Sequence, residues 1–168
     1  NISIAGYITN SSAQNLTLSA AGSGTIGVTG TVGSSTALGT LTISQSAGTT
    51  FSSTVNAATV TLTATTGTIT FTGALTAGTL NTAVAGYNVA INGGGTITNA
   101  ATFSNTGTLT LAGTTAFTAG VTATSPTTIY LGGTVTAIGS AAINLAGTSA
   151  TPVSVTANST VGGTSTGQ

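Results

Sequence analysis

Apolar and small polar residues alternate along this chain in short bursts. Leu16-Thr17-Leu18, Leu41-Thr42-Ile43, Val60-Thr61-Leu62, Ile69-Thr70-Phe71, Val89-Ala90-Ile91 and Leu109-Thr110-Leu111 all follow the pattern. Ile129-Tyr130-Leu131, Ile143-Asn144-Leu145 and Val153-Ser154-Val155 continue it. In a strand such a triplet sends two apolar side chains to one side and the middle residue to the other. Gly or Asn follows most triplets within a few residues, so the predicted strands are short and the turns frequent. Helix signals are weak: there are no Glu/Lys pairs and no capping boxes, and Gly is seldom far away.

The bursts repeat. Phe51-Ser-Ser-Thr-Val55-Asn-Ala57 matches Phe71-Thr-Gly-Ala-Leu75-Thr-Ala77, and both match Phe117-Thr-Ala-Gly-Val121-Thr-Ala123. A second phrase, Gly-Thr-apolar-Thr or a close variant, recurs at Gly39, Gly67, Gly95, Gly107 and Gly133. The apolar pairs that begin at Leu41, Val60, Val89, Leu109 and Ile129 are spaced 19, 29, 20 and 20 residues. A period near 20 built from short strands reads as one coil of a β-solenoid, a parallel β-helix. Eight coils at about 4.8 Å each predict a rod of roughly 40 Å. Residues 1–168 then form a single all-β domain or a segment of a longer repeat protein. One local signal points elsewhere. Asn92-Gly93 lies between the alternating segments Tyr87–Ile91 and Thr96–Thr98, which is a hairpin cue. The alternative fold is therefore a β-sandwich of short antiparallel strands.

Composition supports strands and removes most chemistry. Thr is about a quarter of the 168 residues, and Thr and Val favour pleated surfaces. Asp, Glu, Lys, Arg, His and Cys are all absent. In an ordinary chain, about a quarter Asp, Glu, Lys and Arg, the absence of those four alone has a chance probability on the order of 10⁻²¹. With zero net charge, self-repulsion does not hold the chain open, so its modest content of large apolar residues does not imply disorder. No apolar run approaches the ~18 residues of a membrane-spanning helix. The sequence begins at Asn1 without a signal peptide, which reads as a mature or excised segment. The lack of Lys and Arg removes every trypsin-type cleavage site, which suits a life outside the cell.

These phrases resemble the repeat region of large secreted bacterial proteins: filamentous-haemagglutinin-like adhesins, autotransporter passengers and other β-strand-repeat surface proteins. The residues that carry the resemblance are Gly67-Thr-Ile-Thr-Phe71-Thr-Gly-Ala-Leu-Thr-Ala77, Gly93-Gly-Gly-Thr-Ile-Thr-Asn99, Phe103–Leu111 and Phe117–Ala123. The resemblance implies a right-handed parallel β-helix, export, and a role in adhesion or a biofilm matrix.

Catalysis is not expected. General acid–base chemistry needs a group with a pKa near working pH, and the abundant Ser and Thr hydroxyls have no basic partner. Zinc would need Cys, His or carboxylate ligands, and nucleic acid would need cations, so neither a cofactor nor a nucleic-acid partner is expected. Gly93-Gly94-Gly95 is a turn rather than a phosphate cradle, because no Lys and no helix follow it.

Four features remain as candidates. Four N-x-Ser/Thr sequons at Asn1, Asn10, Asn15 and Asn158 are possible N-glycosylation sites. Tyr7, Tyr87 and Tyr130 would stack on surface glycans if they were exposed together. Thr rows such as Thr59/Thr61/Thr63, Thr66/Thr68/Thr70/Thr72, Thr96/Thr98 and Thr106/Thr108/Thr110 would bind ice if successive coils placed Thr on one face; the 29-residue gap weighs against that. Finally, strand edges are normally defended by charge and Pro, and this chain has no charge and only Pro126 and Pro152. The expectation is an extracellular structural component, a filament, adhesin stalk or matrix fibre, whose main partner is itself, as a homopolymer or through repeat neighbours. An ice- or glycan-binding module and a pilus-like subunit joined by strand donation are the alternatives.

Overall fold

Every strand pairing among the described residues is parallel, and consecutive partners lie one coil apart. The computed structural model describes residues 1–150 and 152–162, with the backbone alone at Ala64. The chain winds as a three-faced β-solenoid. On the first face Ile2, Ile26, Thr49, Ile69, Val89, Leu109, Ile129 and Val153 follow one another in register, making eight rungs. The second face carries Ile8, Val32, Val55, Leu75, Gly95, Thr115, Val135 and Val161. The third carries Leu16, Leu41, Val60, Leu80 and, after a 21-residue step along the chain, Ala101, Val121 and Ile143. The expected β-solenoid with coils near 20 residues is the fold observed.

The period-2 pattern explains the interior. Val28, Phe51, Phe71, Ile91, Leu111 and Leu131 form one buried column of the first face, and Val55 and Leu75 lie in the corresponding column of the second. Phe51 and Phe71 stack with ring centroids 5.2 Å apart and planes 6° from parallel, a direct result of the 20-residue register. Between them the apolar columns leave no need for buried charge. One of several buried polar residues, Thr49, points inward and is matched by a 2.8 Å hydrogen bond between its hydroxyl and that of Ser46. Side chains also tie rung to rung: Asn88 Oδ1 accepts from Thr108 N at 2.8 Å, and Asn99 Nδ2 donates to Thr79 Oγ1 at 2.9 Å.

The corners differ. From the first face to the second the chain always takes six residues in the inner coils, as from Thr49 to Val55 or Leu109 to Thr115. Gly73, Gly93, Gly113 and Gly133 stack along this corner. A Cβ on Gly93 would lie 2.4 Å from the Gly73 carbonyl carbon, and one on Gly133 would lie 1.9 Å from the Gly113 carbonyl oxygen. From the second face to the third the length varies: five residues from Val55 to Val60, but nine from Val32 to Leu41 and eight from Val135 to Ile143.

Two expectations are corrected. The Asn92-Gly93 segment is not a hairpin. Asn88–Ile91 pairs with Thr68–Phe71 and with Leu109–Phe117, whereas Gly95–Ile97 lies on the next face and pairs with Leu75–Thr82. Gly94, at φ +66°, and Gly95, at φ +136°, supply the left-handed backbone that a corner shares with a hairpin turn. With parallel pairing throughout the described residues, the antiparallel β-sandwich is excluded. The 29-residue gap is not an irregular coil either. Leu41 and Val60 belong to the third face, Val89, Leu109 and Ile129 to the first, and the gap counts across a change of face.

Candidate functional site

Outward side chains form columns just as inward ones do. On the third face Thr17, Thr42, Thr61, Asn81, Thr102, Thr122 and Asn144 occupy seven successive rungs in register. Beside them, Thr40, Thr59 and Thr79 make a second column two residues back along each strand. The first face is less regular: its outward column reads Ser3, Gly27, Thr50, Thr70, Ala90, Thr110, Tyr130 and Ser154. The Thr rows visible in the sequence are thus dealt out among faces. Thr59/Thr61/Thr63 fall on the third, Thr68/Thr70 and Thr108/Thr110 on the first, and Thr96 on the second.

The three tyrosines do not make a platform. Tyr87 is fully buried and its hydroxyl donates to the Leu62 carbonyl at 3.3 Å. Burial pushes its phenol up to about 12, against the Ala83 backbone and the Thr82 side chain, which favour the ionised form. Tyr7 is exposed in the first coil, and Tyr130 points outward on the seventh rung of the first face.

The sequon asparagines lie toward the two ends. Asn1 and Asn15 act as rung ties: Asn1 Oδ1 accepts from Thr25 N at 2.9 Å, and Asn15 Oδ1 from Thr40 N at 2.8 Å. Asn10 is half-buried, and its Nδ2 donates to the carbonyls of Ser12 and Ala37. Asn158 is exposed.

No family model, curated protein or solved structure matches this chain. The geometry therefore carries the functional argument alone, and the two ends of the solenoid are its most distinctive part. Val153 and Val155 continue the inward columns of the first face, and Val161 continues that of the second. Each sits where an inner coil would bury it, yet they are 38%, 66% and 48% exposed. Among the described residues, Ile143–Leu145, Val153–Val155 and Thr160–Gly162 each pair on one side only. At the opposite end Ile2–Ile4 and Leu16–Ser19 also pair on one side only, and Ile2, Ile4, Ile8 and Leu16 are half-buried. Composition could suggest undefended edges, but it could not say that they coincide with open apolar columns. The described residues contain no helix long and apolar enough to cross a membrane.

Proposed function

We propose that this chain is a non-enzymatic structural rod of the cell exterior, a stalk, filament or matrix segment, whose end coils stack on further coils of a second copy or of repeat neighbours. The observation that supports it is the last described rung, where inward-column valines stay open beside strands that pair on one side only among the described residues. A second copy presenting Ile2–Ile4 would continue the same columns and supply the missing backbone partners. That contact joins unlike ends, and a head-to-tail contact that does not close propagates into a fibre. No charged side chain opposes the docking, and net charge near zero favours association. The resemblance to filamentous-haemagglutinin-like surface proteins agrees with an exported rod, as does the absence of tryptic sites.

Electron microscopy and sedimentation across a concentration series test the proposal. The expected result is filaments about one solenoid wide that lengthen with concentration. Val155→Lys places a charge on an already exposed edge position and is expected to leave monomers with an unchanged circular dichroism spectrum. Strict monomers of the unaltered chain at high concentration would overturn the reading.

A further inference from the structure

The ends account for association but leave the long third face without a role. Its outward column is Thr or Asn at all seven rungs, with no Ala, Gly or aromatic residue interrupting it. Over the second to fourth rungs it is doubled by Thr40, Thr59 and Thr79. Register fixes the geometry: a Thr or Asn recurs about every 4.8 Å from rung to rung, and at the second to fourth rungs a second Thr lies about 6.7 Å away along the strand. The hydroxyls of Thr42, Thr61, Thr102 and Thr122 are not engaged by other side chains or by backbone carbonyls, in contrast to Thr63, which donates to Ile43 and Ser44. Their free donors and acceptors therefore face water. β-branching holds each Thr at χ1, so the array is stiff before anything binds. No charged side chain lies anywhere on the chain to impose its own hydration shell.

We infer that the third face is an ice-binding surface, with crystalline water as its ligand. Single threonines hold water loosely. A rigid two-dimensional array of methyl and hydroxyl groups, repeating on the scale of the oxygen positions in hexagonal ice, orders a water layer that merges with the crystal. Adsorption is then a sum over rungs, and because each hydroxyl needs only a water partner, no pocket is required. The first face, with Gly27, Ala90 and Tyr130 in its outward column, lacks the continuity and serves as the internal control. This inference is independent of end-to-end stacking, which uses a different surface.

The test is thermal hysteresis and crystal shaping by the purified chain, with Thr102→Tyr and Thr122→Tyr on the third face compared with Thr70→Tyr on the first. The unaltered chain should depress ice growth and facet the crystal. Each third-face variant, provided its circular dichroism is unchanged, should lose most of the hysteresis, while Thr70→Tyr keeps it. If one third-face variant fails to fold, the other reads the same column. Absence of hysteresis and shaping in the unaltered chain overturns the inference, as does equal loss from Thr70→Tyr.

Discussion

The inner coils and the end coils are made of the same residue types but solve different problems. From Thr49 to Ile129 the first face repeats every 20 residues without exception. Outside that stretch the step lengthens, to 24 from Ile2 to Ile26 and to 24 from Ile129 to Val153. In the inner coils Phe71 and Ile91 are fully buried, whereas the equivalent Val155 at the last described rung is two-thirds exposed. A solenoid coil cannot bury its apolar set alone; its neighbours on both sides do so. Coil length is strict in the middle of the rod and relaxed toward its ends, where even coils that pair on both sides, such as those beginning at Ile26 and Ile129, carry longer loops between their strands.

The sharpest way to break this contrast is at the glycine corner. Gly133→Val would drive a Cβ to within 1.9 Å of the Gly113 carbonyl oxygen, so the inner coils should lose more than about 4 kcal/mol or fail to fold. Gly6→Val in the first coil, where nothing lies within 4 Å, should change the denaturation midpoint little. Next in size is the core. Phe71→Ala removes one ring of the stacked pair and should cost about 3–5 kcal/mol, while Val155→Ala should stay within about 0.5 kcal/mol in the monomer. Urea titration of both variants decides whether the ends contribute as little as their exposure implies.

The smallest effect concerns pH. With no acidic or basic side chain, stability should be nearly flat from about pH 2 to pH 9. Tyr87 then enters. Its folded pKa is raised from 10.0 to about 12, so its contribution is present below pH 10 and is lost between 10 and 12, where the unfolded chain ionises first. Tyr87→Phe should flatten that part of the curve. A large difference between pH 3 and pH 7 would contradict the whole account.

Alternation at Leu41-Thr42-Ile43 and the Phe51/Phe71 repeat made both the strands and the coil length legible, because inward and outward positions obey a period of two on every face. The faces themselves were not legible. A strand of the first face carries the same signature as one of the third, so Leu41, Val60 and Val89 read as a single series. Phe117 likewise resembles Phe51 in its local phrase, yet it pairs with Ile97 on the second face. Asn92-Gly93 misled because the positive φ that the corner needs falls on Gly94 and Gly95, just past the pair that a two-residue hairpin turn would use. The Thr column stayed hidden because Thr61 and Thr102 become neighbours of Asn81 only once the corner between them is known to absorb one extra residue.

The unequal corners also say where this chain can be rewritten. The turn from the second face to the third already accepts between five and nine residues while the rungs on either side keep their pairing. Peptides grafted there would project sideways at a pitch of about 4.8 Å, stacked like teeth on a comb. The rod is in that sense a ruler, and that corner is the edge on which marks can be cut without changing its length.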